Sequence, residues 1–171
     1  MDDARLTETV DYVAIRRLQS AYADVCTRRA WAEFDGLFLP DALVEVDTRV
    51  GEPLRFVGPH EIGDFIGNAI SGMDFFEFVV LNTRVELAVG GDPDVACARM
   101  YMQELRHETE SGRFTIVYGV YHDRLARAGG HWWFEHRRYH SLTRNATPDD
   151  EGGDGSWAVF EFPHHLRLDQ L

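Results

Sequence analysis

The sequence contains no lysine; all 17 of its cationic side chains are arginine. That absence excludes Schiff-base catalysis, a pyridoxal-phosphate lysine and a Walker phosphate-binding lysine, each of which needs an ε-amino group. Cysteine is scarce. Cys26 and Cys97 form neither a CxxC pair nor a zinc-ligand spacing. They read as reduced, buried thiols acting as small hydrophobes, with a nucleophilic Cys26 as the lesser alternative. No apolar run approaches the roughly 18 residues of a membrane span. The acidic start Met1-Asp2-Asp3-Ala4-Arg5 lacks the basic-then-apolar order of a secretory leader, so a cytoplasmic protein is expected. Excess positive charge is missing too. The formal net charge is −12, which argues against nucleic acid or an anionic membrane as the partner. The pairs Arg16-Arg17, Arg28-Arg29 and Arg137-Arg138 are scattered and read as solvated or ion-paired surface.

What is present is the material of one globular domain. The chain has 171 residues, 44% of them hydrophobic and 12% aromatic. From Thr9 to Arg29, apolar residues recur at Val10, Val13/Ala14, Leu18, Ala21/Tyr22 and Val25, the spacing of a helix with one buried stripe. Trp31, Phe34, Leu37 and Phe38 predict a second short helix, ended by Leu39-Pro40-Asp41-Ala42. Leu43–Asp47 and Leu54–Val57 predict a strand pair joined through Gly51. Gly58-Pro59 opens a third helix, with Ile62, Phe65, Ile66, Ala69 and Ile70 on its inner face.

Four long strands follow in prediction: Phe75–Val89, Val95–Glu108, Arg113–Arg127 and Trp132–Arg144, separated by Gly-rich turns. Helices first and an antiparallel meander second make an α+β order, with no βαβ unit. The strands carry apolar residues on both faces. One face is expected to curl around the helices and the other to pack on a second copy of the chain, a homodimer. Residues 1–144 form the predicted domain. Residues 145–171 are an acidic Gly-rich loop and an apolar tail that docks back on the domain or on the partner subunit.

The order Tyr22, Trp31, Leu37-Phe38-x-Pro40-Asp41-Ala42, Asn82-Thr83-Arg84-Val85-Glu86, Gly119-x-Tyr121-x-Asp123-Arg124-Leu125 and Trp132-x-Phe134 resembles the SnoaL-like branch of the nuclear transport factor 2-like superfamily. The resemblance implies a cone-shaped, cystatin-like α+β barrel, its curved mixed sheet wrapped around N-terminal helices and a deep pocket. It also implies a general acid/base enzyme without cofactor: a cyclase, dehydratase or isomerase of a small polyketide-like or steroid-like ketone. Polyketide cyclases, scytalone dehydratase, bile-acid dehydratase and ketosteroid isomerase share this branch. Non-catalytic ligand-binding proteins and the small subunits of ring-hydroxylating dioxygenases share the fold, so a binding or assembly role is the alternative.

Dehydratase-type members resemble one another in an Asp late in the first helix, where this chain has Thr27, and in a pocket His, where it has Phe78. The resemblance instead points to Tyr22, Glu104 and His140 as the catalytic polar groups. It places Cys26, Thr27, Trp31, Phe34, Phe38, Phe78, Asn82 and Met102 around the pocket. A carboxylate held alone among apolar side chains has its pKa raised, because its charge is poorly solvated. Glu104, flanked by Met100, Met102 and aromatics, is the candidate base for proton abstraction beside a carbonyl, with Tyr22 and His140 as donors to the oxygen. Ketosteroid isomerase works by this combination of a carboxylate base with hydrogen-bond donors to the developing enolate. A one-residue change of register would turn His140 to the other face of the sheet. Of the remaining polar residues, Asp24 reads as solvated, and Asp41, Asp47 and Asp123 as turn, cap or ion-pair residues. His136 and His140 share a strand face but lie ~13 Å apart, too far for one ion, so no metal site is expected.

Overall fold

A computed structural model of the chain describes residues 3–145, 157–164 and 167–169. Helix α1 (Asp3–Arg28) comes first, then a short 3-10 turn at Trp31–Gly36 and strand β1 (Phe38–Asp47). Strand β2 (Leu54–Val57) and helix α2 (Gly58–Ala69) follow. Four long strands then run in sequence: β3 (Met73–Leu87), β4 (Val95–Glu108), β5 (Phe114–Ala128) and β6 (His131–Arg144). The two-residue β7 (Ala158–Val159) completes the sheet. The class is the α+β expected, and the strand and helix ends fall within two residues of prediction except that α1 begins at Asp3, six residues before Thr9, and β1 at Phe38, five before Leu43.

The strand order is β2-β1-β6-β5-β4-β3, with β7 on β6. The sheet curves but does not close, and β2 and β3 are its edges. Every pairing is antiparallel except β1 with β6, which is parallel and sets the N-terminal strand pair against the last strand of the meander. Two local expectations are corrected here. Phe38 and Pro40 belong to β1 and not to a helix end. The β1–β6 register breaks between Phe38 and Leu43, which accommodates a proline that cannot donate to the ladder. The buried stripe of α1 also starts later than predicted. Val10 and Val13 are exposed, and Ile15, Leu18, Gln19, Tyr22, Val25 and Cys26 form the inward face. Gly58 opens α2 with φ +80°, and a Cβ there would lie 2.8 Å from the Pro40 carbonyl oxygen.

The concave face of the sheet packs on α1 and α2. Phe34, Phe38, Phe78 and Phe134 close around the ring of Tyr22, with centroids 5.4–6.1 Å away. Inside this aromatic shell lies an ion pair. Arg137 Nε donates to Asp123 Oδ1 at 2.8 Å, and both side chains are fully buried. The Arg137 guanidinium lies over the rings of Tyr22 and Tyr121, each at 4.0 Å, and of Phe134 at 4.2 Å. This corrects the reading of Arg137-Arg138 as surface. Only Arg138 faces outward, bonded to Glu45 together with His136.

The convex face is not bare. Trp157 packs on Tyr118 and Phe162 on Tyr101, while Phe160 N–H donates to Leu142 O at 2.9 Å. The described part of the tail therefore covers part of the face that the sequence reading assigned to a second copy. The Gly-rich loop at 147–155 lies outside the described residues, as does His165. Among the described residues, no helix is long and apolar enough to cross a membrane.

Removing one member of a buried pair strands the other charge in the core. Asp123→Ala is expected to lower unfolding stability by about 3–5 kcal/mol, measured by urea denaturation. A loss under about 1 kcal/mol would show that Arg137 finds solvent or another partner.

Candidate active site

Between the concave face and α2 lies a cavity of about 190 Å³. Strand alternation explains which side chains reach it. On β4, Met100, Met102, Glu104 and Arg106 share one face, and the register sets Glu104 opposite Phe78 on β3 and Val117 on β5. On β5 and β6 the same face carries Tyr121 and Tyr139, which are register partners. Helix α1 contributes Tyr22 and Cys26, and α2 contributes Ile62, Phe65, Ile66 and Ala69. Val44 and Val46 on β1 complete the apolar wall, while Thr48 and Arg144 stand where β1 and β6 end.

The electrostatics divide the cavity in two. Glu104 sits in the wall, and its Oε2 accepts from Arg106 Nε at 2.8 Å and from Nη2 of the same guanidinium. The expected lone acid is therefore an ion pair. Burial works against the Arg106 charge, but Glu104 more than restores it, and the guanidinium is held above its ordinary value. The hydroxyls of Tyr22 and Tyr121 lie 3.4 Å apart. Burial raises the pKa of Tyr22, helped by Cys26 and Tyr121. Burial also raises Tyr121 and Tyr139, in each case helped by the Glu104 charge. All three phenols are thus neutral donors throughout the physiological range. The Cys26 thiol is pushed up to about 12 by burial, despite a hydrogen bond with Tyr22.

Of the residues singled out from sequence, Tyr22, Glu104, Cys26 and Phe78 line this cavity. His140 does not. It projects from the opposite face, 7% exposed, with its ring edge-on to His122 at 5.9 Å. Tyr139 and Ser141 hold the inward positions of β6, so the parity alternative is the one realised. The other pocket assignments are corrected as well. The Thr27 hydroxyl accepts the Phe78 backbone N–H at 3.0 Å, tying α1 to β3 outside the cavity. Trp31 packs on α2 against Gly63 and Gly67, and Phe34 and Phe38 belong to the shell behind Tyr22. Met102 is fully buried without reaching the cavity, and Asn82 is exposed.

The residues that sequence reasoning missed are Arg106, Tyr121, Tyr139 and Arg144. Arg106 follows from Glu104 by strict alternation, and Tyr121 from Asp123 in the same way. Tyr139 and Arg144 depend on a β6 register that only the bulges near its ends decide. Among the described residues, no group of three or more His, Cys, Asp or Glu is placed to hold a metal ion.

With this geometry in place, comparison is informative. The SnoaL-like domain family model matches residues 7–138, and the chain belongs to that family. The fold is similar to LinA, with a TM-score of 0.72 at 18% identity, covering 93% of this chain and 99% of that one. It is also similar to the hexachlorocyclohexane dehydrochlorinase LinA-type3 of Novosphingobium barchaimii, with a TM-score of 0.69 at 20% identity over 80% and 90% of the two chains. A third is an NTF2-like protein with a cystatin-like fold from Novosphingobium aromaticivorans, with a TM-score of 0.67 at 21% identity over 82% and 87%. No functionally curated protein matches the sequence. At these identities the structural likeness establishes the fold alone.

Two predictions follow from the wall itself. A Cβ on Gly119 would stand 2.8 Å from Tyr139 Cζ and closer still to the ring edge. Gly119→Ala is expected to displace the Tyr139 ring and cost about 1–3 kcal/mol of stability, read by urea denaturation and by the tyrosine's aromatic NMR shifts. Burial raises both thiols, Cys26 to about 12 and Cys97 above its ordinary value. Both are therefore protonated at pH 8 in the folded protein. Iodoacetamide should leave them unmodified until denaturant is added, as followed by intact mass. Rapid native labelling of Cys26 would contradict this setting.

Proposed function

We propose that the chain is an enzyme of proton transfer at carbon, acting on small hydrophobic carbonyl compounds with Glu104 as the proton acceptor. One observation carries this reading: a carboxylate built into the wall of a largely apolar cavity whose other titratable neighbours are neutral hydroxyls and arginines. Both Arg106 donors go to Oε2, which fixes the carboxylate and leaves Oε1 for a substrate proton. A C–H bond beside the carbonyl breaks toward Oε1. Its electron pair moves to the carbonyl oxygen, where a tyrosine hydroxyl, Tyr139 or Tyr121, donates to the developing charge. Return of the proton at another carbon gives isomerisation; departure of a β-hydroxyl as water, taking the proton held on Glu104 as the enolate electrons form the C=C bond, gives dehydration. No step uses a cofactor. The similarly folded LinA-type protein is named as a dehydrochlorinase, and an elimination of that kind also requires a C–H bond to break.

Size limits the substrate. An apolar cavity of about 150 Å³ accepts benzene, and this one measures about 190 Å³. A single substituted ring fits, whereas a rigid four-ring steroid is larger than the chamber. The narrower reading is therefore a monocyclic ketone.

One feature favours the second reading, a non-catalytic ligand-binding protein. Thr27 stands where relatives carry an Asp and is engaged as a structural acceptor for Phe78 N–H. Solvent-deuterium exchange separates the two readings. Wild-type protein is expected to speed exchange at the α-carbons of a panel of cyclohexanones and aryl ketones in D₂O, followed by ¹H NMR. Glu104→Gln should reduce that acceleration by ~10²–10⁴ while the far-ultraviolet circular dichroism stays unchanged. Ligands that bind without exchange, or full exchange by the Gln variant, would defeat the catalytic reading.

A further inference from the structure

The polar end of the chamber is not neutral. Its lining holds one carboxylate, Glu104, against two guanidiniums, Arg106 and Arg144. The cysteine and the three tyrosines are uncharged, as their raised values require. Two positive charges less one negative leave the lining at a net +1, inside a chain whose formal charge is −12. Glu104 is taken by Arg106. Arg144 has no acidic partner among the described residues: its Nη2 donates to Thr48 O at 3.2 Å, its guanidinium stacks on Phe160 at 5.2 Å, and its buried Nε has no acceptor. A guanidinium offers five donors in a planar fork, and here one of them is satisfied by the protein. Burial, with Arg106 adding like charge, lowers its pKa, so the site carries an uncompensated cationic cost. The α2 side of the lining, Ile62, Phe65, Ile66 and Ala69, is apolar.

We propose that the chamber selects hydrophobic carboxylic acids of one-ring size, with the ring against α2 and the carboxylate on the Arg144 fork. A carboxylate matches a guanidinium edge with two parallel hydrogen bonds, which a neutral amide or alcohol cannot. It would also cancel the excess charge of the lining. The acidic exterior gives an anion no long-range attraction, and beyond about 8–10 Å that exterior is screened at physiological salt. Discrimination is therefore local and belongs to Arg144. This inference rests on the cavity being the substrate site and deepens that reading by naming the head group. It does not depend on Glu104 acting as a base.

Calorimetric titration with matched probes tests it. The pairs are phenylacetate with phenylacetamide, and cyclohexanecarboxylate with cyclohexanecarboxamide, at pH 7. Wild-type protein is expected to bind each acid at least about tenfold more tightly than its amide. Arg144→Gln should shrink that preference below about threefold, through a larger loss of acid than of amide affinity. Arg144→Lys, which keeps the charge but loses the fork, should fall between. Circular dichroism melts confirm that both variants fold. Equal binding of acid and amide by the wild type would overturn the inference. So would no acid binding up to about 10 mM, or an acid preference that survives Arg144→Gln. The Glu104→Gln variant keeps the two ideas apart. If it retains the acid preference after losing exchange, both readings hold. If exchange fails in the wild type while acids bind through Arg144, only the catalytic reading falls. Exchange on neutral ketones with no acid preference removes this inference alone.

Discussion

The arginine at the centre of this fold is the constraint from which the site's layout follows. Arg137 is fully buried, which would cost several kcal/mol if its charge stood alone. It is held because three elements converge on it: Asp123 from β5 neutralises it, and Tyr22 from α1 and Tyr121 from β5 press ring faces against it, with Phe134 of its own strand beneath. Each partner fixes another. Tyr22 must present its face to the guanidinium, so its hydroxyl is left to reach Tyr121 and the cavity. Asp123 and Tyr121 must both point inward, which sets the parity of β5 and, through the Tyr121–Tyr139 pairing, the parity of β6. A cation buried for the sake of packing thereby decides which phenols face the cavity.

The same parity separates two chemistries across one sheet. Inward positions of β4 to β6 carry the Glu104–Arg106 pair and the phenols. Outward positions carry Arg99, His122, His136, Arg138 and His140. The histidines, which the sequence sets prominently along β5 and β6, face away from the cavity. They sit in a polar layer that includes Glu45, which is bonded by His136, Arg138 and Arg55. Imidazoles of β5 and β6 are thus kept off the concave face. What remains there is a carboxylate, two guanidiniums and hydroxyls that do not ionise, a set suited to donating hydrogen bonds and accepting one proton.

Period and punctuation made the elements legible in the sequence. Four strands of 14 or 15 residues and two helices follow from apolar spacing and from Gly-rich breaks, and the family pattern supplied their arrangement. The burial of Arg137 was not legible. Nothing local distinguishes Arg137 from Arg138, and the difference arises from partners contributed by α1 and β5. Parity on β6 was hidden for a similar reason. A register irregularity beside Leu125 shifts the pairing, so alternation counted from Trp132 does not survive to position 140. The aromatic assignments at Phe34 and Phe38 failed in a third way. Both are in the right region, but Tyr22 stands between them and the cavity, and no periodicity reports depth within a core. Glu104 was reached through the family pattern more than through strand alternation, while its partner Arg106 is the next inward residue on the same strand.

Position, more than composition, relates this cavity to the dehydratase-like pattern. Phe78 occupies the place where such relatives carry a pocket histidine, and Thr27 that of the helix-end aspartate. Here the two are joined to each other by a structural hydrogen bond. Yet Phe78 is the direct cross-strand partner of Glu104. Neighbouring strands lie about 4.8 Å apart, and register partners share a face. The carboxylate therefore stands one strand away from the position of the missing histidine and looks into the same space. An acid proposed as the base needs an inward position on the wall and a fixed orientation, and on β4 the guanidinium two residues along supplies the second. Moving the acid from a helix end to a strand also changes what surrounds it: the counter-charge now comes from the wall, leaving Arg144 as the cation without an acid among the described residues.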